Sequence, residues 1–411
     1  MSKIVKVQAF ELFDSRGNPT VGVQIFTEKG GEGFAIVPSG ASTGSFEAVE
    51  LRDGGSRLSG KGVKKAVDNV NSLIAQQIVG MEAAHFSEID RRLIELDGTD
   101  TKAHLGANAT LGVSIAAVKA AADEERCPLY KFLGEDKPAP LPRPMMNILN
   151  GGAHASNNLD IQEFMVQPVN PASFEESMEI CVDIYHTLKG LLRLKGCSTA
   201  VGDEGGFAPD LSGDEEALEL IAEAIEKSGY GTKRVKICLD AAASEWQKEN
   251  GIYRMPKRDF TLDADELIGL WESLVSKYPI ASIEDGLGEN DFDGTARLTR
   301  SIGGLVQLVG DDLFVTNVKR LEAGIFACAA NAILIKPNQV GTLSETLRVI
   351  ELAKKRGYKT VISHRSGDSE DTFIADLAVA VASDQIKTGA PCRSERVAKY
   401  NRLLMIEKEL G

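Results

Sequence analysis

The sequence predicts an α/β protein in which a small α+β domain precedes a (β/α)₈ barrel. The first observation behind this prediction is an antiparallel meander of apolar stretches over residues 3–37. The second is a strand-then-helix rhythm that occupies the rest of the 411-residue chain, which is long enough for a barrel with a substantial addition. The third is a proline-rich stretch, Pro138 to Pro144, which is typical of a linker. We place the domain boundary there, with domains 1–137 and 138–411.

The first region carries the signals of strands followed by helices. The predicted strands are alternating apolar stretches at residues 4–12, 20–27 and 33–37. Helical periodicity follows over Val63 to Ile74, where apolar residues fall on one face. Ser87, together with Asp90, is predicted to cap a second helix. An alanine-rich helix is predicted over residues 107–125.

Beyond the prolines, six apolar runs are typical of parallel barrel strands, and each ends at a charged or ionisable residue. The strand-end residues are Asp240, Glu284, Asp311, Lys336, His364 and Lys387. Successive ends lie 23 to 44 residues apart, which suits one strand-plus-helix unit each. One intervening helix is predicted over residues 343–356 and ends at Gly357. Another is predicted to begin at Ser212, with Glu215 as its capping-box partner.

Composition and charge exclude several classes of function. The formal net charge of −14 argues against general nucleic-acid binding, which needs a basic footprint. Apolar runs such as Phe373 to Ala382 are too short to span a bilayer, and the start of the chain has no signal-peptide core. The six cysteines are scattered, which favours reduced thiols. We therefore expect a cytoplasmic protein.

Three of the strand-end residues, Asp240, Glu284 and Asp311, are carboxylates. The carboxyl ends of parallel barrel strands converge on one mouth, so these side chains predict a site with three oxygen ligands. Hard oxygen ligands favour Mg²⁺ or Mn²⁺ over zinc. The structural alternative is that each acid caps a turn or pairs with a Lys or Arg of the barrel.

The remaining strand ends supply cationic groups. Lys336 precedes Pro337, which biases Lys336 toward extended backbone. Beside a bound cation, an amine inside an apolar barrel is expected to have a depressed pKa and to act as a general base. Its alternative role is that of a counter-ion to one of the acids. Arg365 and Ser366 suit a phosphate, and Lys387 suits a carboxylate.

Two glycine-rich segments add further polar candidates. Residues 201–209 place Glu204 in a tight turn. Residues 150–164 place three polar side chains next to a predicted strand, namely His154, Gln162 and Glu163. On physical grounds alone, each segment is also compatible with an ordinary turn.

With these residues in order, the chain resembles the enolases, the phosphopyruvate hydratases of glycolysis, essentially from end to end. The matching segments are residues 14–20, 38–44 with 50–53, 150–163, 201–207, 282–285, 309–313, 334–339, 363–367 and 386–389. The resemblance implies a modified TIM barrel that opens ββαα before six βα units, preceded by a small capping domain.

The resemblance also implies a lyase that dehydrates 2-phosphoglycerate to phosphoenolpyruvate with two Mg²⁺ ions. The first ion is held by Asp240, Glu284 and Asp311, and Ser42 helps to hold a second ion that arrives with substrate. Lys336 takes the C2 proton and Glu204 protonates the departing 3-hydroxyl. We expect Glu163 and Asp203 to raise the pKa of Glu204.

Further residue roles and partners follow from the same resemblance. Glu163 assists near Glu204, and Arg365 and Ser366 hold the phosphate. The full set of implied substrate contacts is His154, Gln162, Glu163, Lys336, His364, Arg365, Ser366 and Lys387. A homo-oligomer, either dimer or octamer, is expected, with no nucleic acid and no membrane insertion. A surface or secreted pool beside the cytoplasmic one is compatible with the resemblance.

Three rival functions stay open at this stage. Gly40-Ala-Ser42-Thr-Gly44 matches the G-x-S-x-G elbow of serine hydrolases, although only one small meander precedes it and the carboxylate series stays unexplained. A racemase or cycloisomerase on a related barrel would share the metal site without needing a phosphate clamp. A scaffold protein that has lost activity would form no phosphoenolpyruvate.

Overall fold

The computed structural model describes residues 2–41, 44–134, 140–248 and 251–411. The predicted domain boundary at residue 137 and the candidate metal ligand Ser42 lie outside these ranges.

The chain begins with the predicted three-stranded antiparallel meander. Its strands are β1 (Ile4–Phe13), β2 (Pro19–Thr27) and β3 (Glu32–Ile36), in the order β1-β2-β3. The alternate residues Val21, Val23 and Ile25 of β2 are fully buried, and helical elements of the same region contact all three strands. This confirms the predicted meander.

Helices follow the meander. They are α1 (Lys64–Asn69), a π-helical turn (Val70–Ile74), α2 (Ala75–Ile78), α3 (Phe86–Asp97), α4 (Ala107–Glu124) and α5 (Leu129–Gly134). Helix α4 is the alanine-rich helix, and it packs against β2 and β3. The predicted cap at Ser87 is wrong, because the chain turns two residues earlier and the His85 carbonyl accepts from Ile89 N–H. Asp90 is buried and instead accepts from Ser344 N–H at the start of a barrel helix.

Eight strands close into a barrel. In chain order they are β4 (Arg143–Asn150), β5 (Glu163–Pro168), β6 (Val235–Asp240), β9 (Ile280–Glu284), β10 (Gln307–Gly310), β11 (Ala332–Ile335), β12 (Lys359–Ser363) and β13 (Gln385–Lys387). Strand β5 runs antiparallel to both β4 and β6, and the other neighbours are parallel. The expected ββαα opening and barrel fold are therefore confirmed.

The remaining elements surround this barrel. A hairpin of β7 (Tyr253–Met255) and β8 (Phe260–Leu262) accounts for the longest interval between predicted strand ends. The outer helices are α6 (Phe174–Leu194), α7 (Asp214–Lys227), α8 (Ala264–Lys277), α9 (Phe292–Ile302), α10 (Val318–Ala327), α11 (Leu343–Lys355), α12 (Phe373–Ala380) and α13 (Ser394–Leu410). Within the described ranges, no helix combines the length and apolarity that crossing a bilayer requires.

Two sequence-based boundaries differ from the structure. Helix α7 has Gly213 rather than Ser212 at its N-cap, and Ser212 N–H donates to Glu216 Oε2 instead. Pro144 belongs to β4 rather than to a linker. A proline is tolerated there because β4 begins to pair with β5 only at Met146, so no strand requires the missing N–H.

The first region covers the carboxyl ends of the barrel strands. Ser39 and Gly367 exchange backbone hydrogen bonds of 2.8 and 2.9 Å, and Ala48 N–H donates to the Gln339 carbonyl at 2.8 Å. On the flank, Lys119 Nζ lies 2.7 Å from Asp371 Oδ1. The loop after β3 is thereby fixed over the mouth of the barrel.

We expect Gly33→Ala to destabilise the protein because β3 packs directly on the backbone of α4. A Cβ at Gly33 would collide with the Ala116 oxygen and the Ala120 nitrogen. Forcing an extra carbon into a packed core costs about 1–3 kcal/mol. Gly190→Ala, in open space on α6, is the matched control and should stabilise by about 0.5–1 kcal/mol. Urea unfolding of both variants tests this, and equal midpoints would contradict it.

Candidate active site

One cavity at the barrel mouth collects most of the residues that the sequence singled out. Its lining includes His154, Gln162, Glu163, Glu204, Asp240, Asp311, Lys336, His364, Arg365, Ser366 and Lys387. These side chains reach it from the ends of different strands and from the two glycine-rich segments. Glu284 lies just behind the lining, where it is fully buried against Lys387.

Lys387 organises the acids on one side of the cavity. Its Nζ lies 2.9 Å from Asp240 Oδ2, 2.9 Å from each oxygen of Glu284, and 3.3 Å from Glu163 Oε1. The lysine is only 2% exposed. Burial and the nearby Asp240 charge raise the pKa of Glu284, although Lys387 acts in the opposite direction. One buried ammonium group is therefore shared among three carboxylates.

Asp311 lies in a second acidic group. Its Oδ2 is paired with Lys336 Nζ, and its Oδ1 accepts from Gln339 Nε2 at 2.9 Å. Asp285, Asp311 and Asp312 each have a ligand atom within 4.8 Å of the others. Burial, and then Asp311 and Asp285, raise the pKa of Asp312 to about 9.

The predicted metal set of Asp240, Glu284 and Asp311 is thus divided between two lysines. Among the described residues, the groups with mutual ligand distances within 4.8 Å are Asp285, Asp311 and Asp312, and also His154, Glu163 and Glu204. Asp240 and Glu284 instead share Lys387. The three-carboxylate set stays a prediction.

The charge balance of the cavity nevertheless suits a divalent cation. Six carboxylates line it, against three Lys or Arg side chains. Burial, and then repulsion between neighbouring acids, raises the pKa values of Glu284, Asp285 and Asp312. Carboxylate oxygens are hard ligands that favour Mg²⁺. The donor set therefore fits the expected ion.

Lys336 lies at the mouth of the barrel, where it is paired with Asp311. Its backbone is extended (φ −121°, ψ 101°) ahead of the 3₁₀ turn Pro337–Gln339, as the following proline predicts. Burial favours the neutral amine, but the Asp311 carboxylate outweighs it and raises the pKa of Lys336. The predicted depression refers to a bound cation and stays a prediction, and in this structure Lys336 is the counter-ion of Asp311.

Glu163 and Glu204 form a buried pair beside His154. His154 Nδ1 lies 3.5 Å from Glu163 Oε1 and 3.7 Å from Glu204 Oε1, and His364 Nε2 lies 3.3 Å from Glu204 Oε2. Burial and the neighbouring Glu204 charge raise the pKa of Glu163 well above its usual range. Burial also acts to raise the pKa of Glu204, but its contacts with His364 and His154 outweigh burial and hold it low.

The expectation that Glu163 raises the pKa of Glu204 is therefore wrong in direction. Of the two acids, Glu163 is the one whose surroundings favour the protonated form. The backbone carbonyl of Asp203 accepts from Arg396 Nη2 at 3.1 Å, and the expected influence of its carboxylate on Glu204 stays a prediction.

The candidate phosphate site is formed by Arg365 and Ser366. Arg365 is 3% exposed and donates from Nη1 to Glu47 Oε2 at 2.8 Å and from Nη2 to Glu47 Oε1 at 3.2 Å. The Ser366 hydroxyl accepts from Ala41 N–H at 2.6 Å. Glu47 belongs to the loop that covers the mouth, so an internal carboxylate occupies the guanidinium fork.

Sequence reasoning missed several residues of this cavity. Asp285 and Asp312 each follow a predicted strand-end acid, so the doubled acids Glu284-Asp285 and Asp311-Asp312 were a usable signal. Glu47 gave no such signal, because it lies in a loop distant in sequence from Arg365. The described residues flanking Ser42 are irregular up to residue 56, which disfavours the strand-to-helix geometry of a nucleophile elbow.

Comparison with known families matches this arrangement over almost the whole chain. The profile described as "Enolase, N-terminal domain" matches residues 4–133. The profile described as "Enolase, C-terminal TIM barrel domain" matches residues 138–411. The chain belongs to the enolase family. It is accordingly an enolase-superfamily enzyme of the lyase type, and the enolase family typically uses Mg²⁺.

Removing the shared ammonium group should be costly to this enolase-family barrel. Lys387→Met leaves Asp240, Glu284 and Glu163 buried without their common cation. Breaking a buried ion pair by removing one partner costs about 3–5 kcal/mol, so the urea midpoint should fall steeply. Lys277→Met removes an exposed ion pair with Glu215 and should leave the midpoint nearly unchanged. Equal midpoints for the two variants would refute the role given to Lys387.

Proposed function

We propose that this enolase-family lyase dehydrates 2-phosphoglycerate to phosphoenolpyruvate and catalyses the reverse hydration, as a phosphopyruvate hydratase. The observation that carries the proposal is that one cavity contains the Lys336 amine, the paired carboxyl groups of Glu163 and Glu204, and the Arg365–Ser366 segment. These groups match the three demands of the reaction, which are proton removal, loss of hydroxide and recognition of phosphate.

Asp240, Glu284 and Asp311, with Asp285 and Asp312 beside them, are the carboxylates that would hold the first Mg²⁺; Ser42 would help to hold a second. The proton to be removed is adjacent to an ionised carboxylate, so its removal adds negative charge to an anion. Bound Mg²⁺ supplies electrostatic stabilisation of that charge, as general chemistry of the enolase superfamily requires.

The side chains of the cavity then have distinct roles. Lys336 takes the C2 proton, for which its amine must leave Asp311 and be unprotonated. Glu204 delivers a proton to the departing 3-hydroxyl, and Glu163 supplies that proton within the pair. His154, Gln162 and Lys387 hold the substrate near these groups. The enclosure of the cavity by the loop containing Glu47 keeps water from competing.

Phosphate binding at Arg365 requires displacement of Glu47. The guanidinium donates two hydrogen bonds to that carboxylate. This planar, bidentate arrangement is also the one in which a guanidinium binds a phosphate. Substrate phosphate and Glu47 therefore compete for the same donors. Expulsion of Glu47 would couple substrate binding to movement of the covering loop.

The direct test is formation of phosphoenolpyruvate from 2-phosphoglycerate, followed by ultraviolet absorbance with Mg²⁺ and with EDTA. We expect turnover in Mg²⁺, none in EDTA, and none with unphosphorylated 2-hydroxy acids. Asp311→Asn should shift the Mg²⁺ titration to higher concentration, whereas the exposed control Asp265→Asn should not. Turnover of unphosphorylated acids but not of 2-phosphoglycerate would favour a racemase or cycloisomerase. The absence of any turnover would favour a scaffold protein.

Lys336→Ala should lower kcat by about 10²-fold or more, because it removes the general base. The specific readout is exchange of the C2 hydrogen of 2-phosphoglycerate with deuterated water, which the unaltered enzyme should catalyse and the variant should not. Circular dichroism checks that the fold is retained. Undiminished exchange in the variant would remove Lys336 from the mechanism.

Glu47→Gln should lower the KM for 2-phosphoglycerate, because a neutral amide competes less well with phosphate for Arg365. Charged hydrogen bonds contribute about 1.5–3 kcal/mol each, so the expected decrease is about 10-fold or more. Glu28→Gln, an exposed residue of the same region, is the control. A higher KM in Glu47→Gln would show that Glu47 supports binding rather than opposing it.

The predicted homo-oligomer and cytoplasmic location remain predictions. Neither changes the chemistry assigned to the cavity.

A further inference from the structure

Arg396 is a buried cation that the proposed chemistry does not use. It lies on α13 with no exposed surface. No carboxylate forms a hydrogen bond with it among the described residues: Glu395 Oε1 lies 3.3 Å from Nε without the necessary alignment, and Asp368 Oδ2 lies 3.9 Å from Nη1. A buried guanidinium normally requires a paired anion. Because Arg396 has no hydrogen-bonded anion, the groups that it contacts instead indicate its role.

The partners of Arg396 are all parts of the candidate active site. Nη1 donates to His364 Nδ1 at 2.6 Å and to the Arg365 carbonyl at 2.6 Å. Nη2 donates to the Ser366 carbonyl at 2.5 Å and to the Asp203 carbonyl at 3.1 Å. One side chain therefore joins the segment after β12 to the glycine-rich turn that contains Glu204.

The bond to His364 determines where the imidazole carries its proton. Arginine has N–H donors and no acceptor, and it stays protonated in proteins. His364 Nδ1 must therefore accept, and in a neutral ring the proton is then on Nε2. Burial lowers the pKa of His364 to about 4, so the ring is neutral near pH 7.

The other ring nitrogen points toward the reacting groups. His364 Nε2 lies 3.3 Å from Glu204 Oε2 but lacks the alignment of a hydrogen bond, and it is buried with no other partner in the described part of the chain. A buried N–H without a partner is costly unless something is bound there. It is directed into the cavity that also contains Lys336 and Glu163.

We propose that Arg396 is a positioning residue that fixes His364 as its Nε2–H tautomer, so that this N–H faces Glu204 and donates a hydrogen bond to the leaving oxygen of the substrate. The second part, donation to a leaving oxygen, rests on the proposed dehydration. The tautomer itself follows from the free protein. His364 thus acts as a hydrogen-bond donor and not as the base.

Packing around Arg396 supports this role. Gly389 has φ +83°, and a Cβ there would lie 2.7 Å from Arg396 Cδ and 2.8 Å from the Glu204 carbonyl oxygen. Only glycine allows the arginine to pass between β13 and the turn of Glu204. Tyr400, one turn along α13, donates to the Gly389 carbonyl at 2.6 Å and fixes the same backbone.

The test is the tautomer of His364, read by ¹⁵N NMR of protein labelled at its five histidines, at pH 7.5 and without substrate. His364→Gln identifies the signal. We expect Nδ1 of the unaltered protein to have the shift of an unprotonated nitrogen and Nε2 that of a protonated one. The opposite assignment would overturn the proposal, and this measurement needs no variant that might misfold.

Two variants of α13 then test the cause. In Arg396→Met the single tautomer should give way to a mixture or to the Nδ1–H form, and kcat should fall about 10- to 100-fold with a smaller change in KM. Arg402→Met removes a guanidinium of the same helix that pairs with Asp376, and it should leave both the His364 signal and kcat unchanged. An unchanged His364 tautomer in Arg396→Met would refute the role of Arg396.

The outcome also separates this inference from the proposed function. If the tautomer behaves as expected but 2-phosphoglycerate is not dehydrated, the proposed function fails and the positioning by Arg396 stands. If dehydration occurs and His364 is the Nδ1–H form, the proposed function stands and the inference fails.

Discussion

The structure depends on keeping a surplus of buried carboxylates together at one end of a barrel. Six line the cavity, and Glu284 lies directly behind it. Parallel strands make this arrangement possible because their carboxyl ends converge, so residues far apart in sequence meet at one rim. The repulsion is limited by Lys336 and Lys387, each of which is placed at a strand end itself. The same rim that concentrates the charge therefore supplies its compensation.

Much of this arrangement could be predicted from sequence because it is a repeated local pattern. An apolar run that ends at a charged residue marks a buried strand and its rim, and all six predicted strand ends lie where expected. Helix starts were less predictable. Ser87 and Ser212 are of a residue type that often caps helices, but neither is an N-cap here. The helix near Ser87 begins at an earlier backbone turn, and the N–H of Ser212 donates to Glu216. Pro144 was assigned to a linker because proline lacks the N–H that paired strands use. It can lie in β4 because β4 begins to pair with β5 only at Met146.

The pKa values could not be predicted from sequence because they depend on which charges become partners. The sequence placed Lys336 at the rim of an apolar barrel, yet its pKa depends on its neighbours in space, since burial lowers it and the Asp311 carboxylate raises it by more. The same holds for the acids, because burial and Glu204 raise the pKa of Glu163, whereas contacts with histidines lower that of Glu204. The salt bridge between Glu47 and Arg365 joins a loop of the first region to the barrel, and no local pattern indicates it.

The counter-ion interpretation and the catalytic interpretation of these side chains are compatible. Lys336 is the counter-ion of Asp311, and Arg365 is held by Glu47 in the same bidentate manner that suits a phosphate. Lys336 and Arg365 are thus each stabilised in the free protein by an internal carboxylate. A buried charge without any partner would destabilise the fold by several kcal/mol, so such internal pairs let a reactive cavity persist. In the proposed reaction, substrate phosphate would replace Glu47 at Arg365, and a bound cation would replace Lys336 as the partner of Asp311.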